Sequence, residues 1–347
     1  MREKNLKAVL SLMFVLSILA AQLGCDRKSV PRREKYSATR MLMGTTVQMD
    51  VCRDPTDISK IENAYKDIWE RLEVISTQMN VLDGASDIAK VNNSGLASVS
   101  IAQDTYHVIE ESIVFSRSTK GAFDVTVWPL MKLWRESERN NIFPDKNAIS
   151  RVQSAVGSKN IQLLGNRHVK LLNKETKIDL GGIVKGYGVD EAARIFRLHG
   201  IMNFFIDAGG DIYAGGKNCN GEPWRIGIRD PRDRSKIIDI VNVVDKAVAT
   251  SGDYEQYYHI GGQKWSHIIN PITGYPQRDV ISATVIAQRA IEADALATAL
   301  CVLGGDLGTG HMDALKEPYA SLIIAKQKSG NIKKFESEEY KKYKYKK

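Results

Sequence analysis

Hydrophobic and polar positions along the chain alternate between two periods. TTVQMDVC (Thr45 to Cys52) alternates residue by residue, as a half-buried strand does. Ile61, Ile68, Leu72, Ile75 and Met79 then recur at helical spacing, with Asp57 placed as an N-cap. SGLASVSI reads as a strand or a turn, and a second helix is predicted from about Thr105 to Thr119, stopping at Gly121. FDVTVWPLMKLW reads as a strand, a break at Pro129 and a short helix, and KNIQLLGNRHVKLL as a hairpin around Gly165-Asn166. VDEAARIFRLHG predicts a helix ending at Gly200, and FFIDAGGDIYAGG two strands joined at a Gly-Gly turn. PWRIGIRDP and DVISATVIA predict further strands, and EADALATALCVLG a helix closed by Gly304-Gly305. Strands and helices mix without a regular β-α-β rhythm. The pattern predicts an α+β fold, mixed sheets with flanking helices, rather than a doubly wound parallel sheet.

The N-terminus follows another logic. Arg2, Lys4 and Lys7 precede an uninterrupted apolar run from Ala8 to Ala21, short for a membrane span and suited to a signal peptide. AQLGC follows, with small Gly24 before Cys25, the arrangement a lipoprotein signal peptidase needs before the thiol is acylated; Gln22 stands where Leu is usual. Asp26 resembles an inner-membrane retention signal. The expected organisation is a signal peptide over 1–24, a lipidated Cys25 opening a tether over 25–38, a folded domain over 39–325 and a basic tail over 326–347. The mature part is expected on the periplasmic face of the inner membrane, held by its lipid anchor.

The chain has 347 residues, enough for one large domain or two modest ones, and a net charge of +8. Much of that charge sits at the ends, in Arg27 to Lys35 and in the closing KKYKYKK. Terminal lysines read as a solvated tail, and no basic cluster inside the fold suggests a nucleic-acid surface. An anionic membrane beside the anchor suits the early cluster. Cys52, Cys219 and Cys301 show neither CxxC nor zinc spacing, and a disulfide among them is left open.

Four stretches could carry chemistry. In IEADALATAL, Asp294 and Thr298 share one helix face; they could hold Mg²⁺ as hard oxygen ligands, or cap the helix and back-bond to a carbonyl. In DLGGIVKGYGVD, paired glycines before Lys185 would let backbone approach a phosphate or a metal, or would form only a tight turn into a helix. Asp124, after Gly121 and Phe123, could accept hydrogen bonds from a heterocycle or close an Asx turn. His267, beside isoleucines in HIINPITGYP, could be a packed core residue or a general base in a loop shaped by Pro271 and Gly274. ATSGDYE adds small hydroxyls in a loop.

MGTT (Met43 to Thr46), GAFDVTVWPL, DLGGIVKGYGVD, DAGGDI, WRIGIRDP, ATSGDYE, HIINPITGYP and ADALATAL together, and in this order, resemble the FAD:protein FMN transferase (ApbE) family over roughly Thr39 to Gly305. The resemblance implies a Mg²⁺-dependent enzyme that cleaves FAD and passes FMN to a Thr or Ser of a partner flavoprotein, releasing AMP. It implies acceptors among membrane redox complexes of the sodium-pumping quinone reductase (NQR) and Rnf type. By the same resemblance Asp294, Thr298 and the carbonyl of Gly182 hold the metal. Met43, Ala122, Phe123, Asp124, Asp179, Lys185 and Ile268 bind the dinucleotide, and His267 takes the acceptor's proton. This chain departs from the family pattern at STQMN, where a Tyr is usual, at Asn270, where Asp is common, and at Asp207. The first departure motivates an alternative, an FAD pyrophosphatase releasing free FMN; a flavin-binding lipoprotein without catalysis is a third reading.

Overall fold

The structure is a computed structural model that describes residues 34–346 apart from 54–57, 255, 316, 318 and 328. The leader, Cys25, the first part of the tether and Asp57 lie outside the described residues. In chain order the strands are β1 (Glu34–Leu42), β2 (Thr45–Arg53), β3 (Ser98–Ser100), β4 (Ile161–Leu163), β5 (His168–Leu171), β6 (Phe204–Ala208), β7 (Asp211–Gly215), β8 (Trp224–Asp230), β9 (Asp233–Val243), β10 (Lys246–Gly252), β11 (Tyr257–Ile260), β12 (Gln263–Ser266), β13 (Val280–Ala287), β14 (Ala320–Lys326) and β15 (Ile332–Glu336). The helices are α1 (Ile58–Met79), α2 (Asp87–Asn93), α3 (Gln103–Ser118), α4 (Trp128–Asn140), α5 (Lys146–Gln153), α6 (Val184–Leu198), α7 (Ala290–Leu303) and α8 (Gly305–Ala314). Among the described residues no helix is long and apolar enough to cross a membrane.

Eight strands form one sheet in the order β1-β2-β6-β7-β10-β13-β14-β15. Every neighbouring pair is antiparallel. The fold is α+β, as the mixed pattern predicts. Strand alternation sends Val47, Met49, Ile206, Tyr213 and Ala249 to one face, where they pack with Leu72 of α1, Phe196 of α6 and Leu296 of α7. The opposite face carries Val248 and Ile286 against Ile226, Ile228 and Val241 of the β8–β9 hairpin. A satellite core of Leu130, Trp134, Ile149, Tyr258, Ile260 and Ile269 ties α4 and α5 to the β11–β12 hairpin and the loop after it. Burying these apolar surfaces is the main stabilising term, roughly 25 cal/mol per Å².

Three expectations need correction. FDVTVWPL contains no strand: Asp124 caps a short 3₁₀ turn over Val125–Val127, and Pro129 opens α4 rather than breaking an element. Proline is tolerated there because the first helical N–H groups have no partner to lose. The tether is shorter than 25–38, because residues 34–38 already pair with β2. The basic tail is part of the fold: β15 extends the main sheet, and Tyr340 is fully buried in the second core. Several of its lysines are partnered too, Lys344 lying 2.8 Å from Glu336 and 3.6 Å from Asp239. Cys52 and Cys219 form a disulfide between the end of β2 and the β7–β8 loop, and Cys301 is free and buried.

Candidate active site

The DLGGIVKGYGVD segment runs from a turn into α6. Asp179 closes that turn, its Oδ1 accepting the Gly181 N–H at 2.8 Å, while its own N–H donates to Val125 O at 2.8 Å. Helix α6 lies so close to α7 that a Cβ on Gly186 would stand 2.4 Å from Ala290 O. Only glycine permits this approach, and the approach builds the site. It lets the Gly186 N–H donate to Asp294 Oδ2 at 3.0 Å and brings Lys185 Nζ to 4.0 Å from Asp294 Oδ1. Lys185 also forms a close ion pair with Asp211, the first residue of β7.

Asp294 is 2% exposed and sits well inside α7, so it caps not its own helix but the start of α6, through Gly186; at the α7 N-terminus Glu292 accepts from the Arg289 N–H and Nε, and Asp190 accepts from the Ala290 and Ile291 N–H groups. Burial pushes the Asp294 carboxyl up, opposed by Lys185 and the Gly186 N–H. Thr298, one turn on, has its hydroxyl 3.3 Å from that of Ser251, at the end of β10. A Cβ on Gly182 would lie 3.5 Å from Thr298 Oγ1 and 3.4 Å from the Phe123 ring, so Gly182, Thr298 and Phe123 meet at one point. Among the described residues no group of three or more His, Cys, Asp or Glu could hold a metal. The donors at hand are a carboxylate, hydroxyls and backbone carbonyl, all hard oxygens. That set fits Mg²⁺, which keeps several ligands from water or phosphate, and does not fit zinc.

His267 follows β12. Its Nδ1 donates to Gln256 O at 2.8 Å, and since a carbonyl only accepts, the neutral ring carries its proton on Nδ1 and its lone pair on Nε2. Burial, with the charges of Lys185 and Arg135, holds the imidazole below its usual pKa, against the Gln256 carbonyl. The loop after it is fixed as expected. Asn270 Oδ1 accepts from Ile272 and Thr273 N–H at 2.8 and 3.2 Å, a role an amide fills as well as a carboxylate. Gly274 adopts φ +76°, has no room for a Cβ beside Ile149, and accepts from Trp134 Nε1 at 2.9 Å.

These elements surround one cavity of about 310 Å³. Of the residues singled out in the sequence, Ala122, Phe123, Asp124, Asp179, Gly182, Lys185, His267, Ile268, Asp294 and Thr298 all line it. Two qualify the expectation. Met43 does not line the cavity; it sits in the β1–β2 turn at φ 53°, its sulfur where a Cβ on Gly188 would fall. Asp124 lines the wall, but its oxygens accept from Thr126 N and Oγ1, Ser116 Oγ and Ser158 N, within 2.5–2.9 Å. Its acceptor capacity is filled from within the protein, as the Asx-turn reading has it. The sequence reading named neither Asp211, although it lies within the DAGGDI motif, nor Arg135, which lines the cavity from α4, a helix read without any functional role.

A lysine, a buried carboxylate and hydroxyls on one wall, with a neutral imidazole on the same cavity, define an enzyme that moves a group on an anionic substrate. The ApbE family pattern matches residues 43–322. The FAD:protein FMN transferase of Vibrio cholerae is 32% identical over 334 residues, covering 95% of this chain and 97% of the relative. That of Haemophilus influenzae is 29% identical over 345 residues, covering 96% and 97%. Among solved structures, the flavin transferase ApbE from Vibrio cholerae superposes with a TM-score of 0.79 at 30% identity, covering 90% of this chain and 99% of that one. The ApbE protein from Thermotoga maritima does so with 0.81 at 33%, covering 90% and 100%. The chain belongs to the ApbE family.

Proposed function

We propose that this protein is an FAD:protein FMN transferase, attaching FMN through a phosphoester to a Ser or Thr of a partner flavoprotein. The observation that carries the reading is the convergence of Lys185, Asp294, Thr298 and His267 on one cavity. The acceptor hydroxyl is a weak nucleophile, and Nε2 of a neutral His267 takes its proton as the oxygen attacks the FMN phosphorus. A new O–P bond forms, the pyrophosphate bridge breaks, and AMP leaves with the bridging oxygen. Lys185 neutralises phosphate oxygens, and Asp211 fixes its position. Phe123 and Ile268 give the flavin half an apolar wall.

Asp294, Thr298 and the Gly182 carbonyl would hold Mg²⁺. When bound, the ion supplies charge stabilisation on the pyrophosphate. The location we propose is the periplasmic face of the inner membrane, with Cys25 lipidated. The Cys52–Cys219 disulfide supports an oxidising compartment. Flavin-carrying subunits of NQR- or Rnf-type complexes would be reachable acceptors from such an anchor.

The test incubates the full chain with FAD, Mg²⁺ and a carrier domain bearing an acidic, Ser/Thr-containing acceptor segment. The expected result is a carrier heavier by one FMN less water, with stoichiometric AMP and little free FMN. Free FMN and AMP over an unmodified carrier would instead make the enzyme a pyrophosphatase.

A further inference from the structure

The β8–β9 hairpin covers the second face of the main sheet, and its two outer edges are treated differently. The β9 edge is sealed: Asn242 N–H donates to Tyr343 O at 2.7 Å, and Tyr345 N–H donates to Ile240 O at 2.8 Å. The β8 edge is open: among the described residues, no backbone group outside the hairpin hydrogen-bonds to Arg225 through Asp230. Those six residues line, in unbroken succession, a cavity of about 620 Å³. Residues of both strand faces line it, so the strand is presented edge-on. The floor is the main sheet at Gln48, Asp207 and Thr250, and the rim is Thr45, Gly209 and Gly210.

The two cavities share no lining residue, but chain neighbours link this rim to the catalytic one. Gly210 precedes Asp211, the partner of Lys185, and Thr250 precedes Ser251, the neighbour of Thr298. Asp211 and Ala249 face each other across the β7–β10 ladder at this point. A polypeptide in the β8 cavity would have to pass over the Gly209–Gly210 turn to reach the Lys185 side of the catalytic cavity. Proteins usually cover or blunt an open strand edge, and two arginines on β8 would serve to blunt it. Blunting alone calls for no adjoining cavity whose lining ends at Gly210 and Thr250, next in sequence to Asp211 and Ser251.

We infer that β8 is the docking strand for the acceptor protein. An extended acceptor segment adds to this edge through backbone hydrogen bonds and crosses the Gly209–Gly210 turn to deliver its hydroxyl; this rests on the flavin-transfer reading. The seven residues of β8 span roughly 23 Å, room for a segment of similar length. Arg225 and Arg229 are exposed on the same side of the strand with Gly227 between them. Arg229 makes no ion pair within 4.0 Å among the described residues, though its charge acts on Asp207 on the cavity floor, and Arg225 is held by Glu222 at 3.1 Å and lies 4.7 Å over the Tyr345 ring. The segment recognised therefore carries acidic side chains near its modified residue.

The test compares the full chain with its Arg225→Glu/Arg229→Glu variant on a small carrier domain whose extended Ser/Thr-containing segment is acidic. The expected result is a KM for the carrier raised by about tenfold or more, a kcat within about twofold, and unchanged FAD binding. A carrier with its acidic residues changed to Lys should restore labelling by the variant. Hydrogen exchange on the unchanged enzyme should slow across β8 when a carrier with its Ser/Thr replaced by Val is added. An unaltered carrier KM with no β8 protection overturns the proposal. An enzyme dimer lost in the variant, with labelling intact, also overturns it and assigns the edge to a second copy. Protection of β8 with free FMN as the product supports docking while removing the transferase reading; neither protection nor labelling removes both.

Discussion

His267 feels three influences of one sign, burial and the charges of Lys185 and Arg135, and one opposing, the Gln256 carbonyl. A base whose pKa lies below its free value stays unprotonated to lower pH. The acid-side fall in kcat/KM, which reports the free enzyme, should therefore begin below the ordinary imidazole value of about 6.5. Arg135→Met removes one depressing charge, so the fall should move to higher pH, which a pH–rate profile reads directly. His267→Asn should cost about 10²–10⁴-fold in transfer while FAD binding, followed by flavin fluorescence, persists. Asp294→Asn should abolish Mg²⁺-dependent turnover yet raise the metal-free unfolding midpoint, because a buried carboxylate costs stability that a neutral amide does not. Calorimetry should show Mg²⁺ with FAD stabilising the unchanged protein and not the variant. At this scale the Asp294–Thr298 pair was legible because residues four apart on a helix share a face. Asp211 and Arg135 were not, because long-range contacts alone bring them to the cavity.

Helices α6 and α7 hold Lys185 and Asp294 together only because Gly186 has no side chain. Gly186→Ala sets a methyl against backbone, which cannot swing away as a side chain could. The expected outcome is a loss of about 1–3 kcal/mol in urea unfolding and a larger loss of activity than of stability. The alternating strands and the amphipathic α1 were readable from period alone. β14 was not, being a short, mostly apolar run without a period, and α8 was hidden by three glycines in ten residues. Pro129 misled because a helix-starting proline and a helix-breaking one look alike until Asp124 is seen capping the turn before it.

Across the whole molecule, the Cys52–Cys219 bond joins positions 167 residues apart and ties the second strand to the loop that launches the β8–β9 hairpin. Cys52→Ser should lower stability by about 2–5 kcal/mol, and reductant should then have no further effect on the urea midpoint. Spacing of the cysteines did not reveal this pairing; it follows from the sheet order, which sets β2 beside β6 and β6 beside β7. Residues 326–347 read as a basic tail because lysines dominate their end, yet Tyr340 and the Tyr343 and Tyr345 backbones do the packing.

That closure has a temporal side. β9 is complete at Val243, and the backbone that seals its edge arrives roughly a hundred residues later. At about 5–20 residues per second of synthesis, the hairpin waits several seconds with both flanks bare. Until then the nascent chain carries a sticky two-stranded ribbon, and a bulky fusion placed directly after Lys347 should slow maturation more than it perturbs the finished protein.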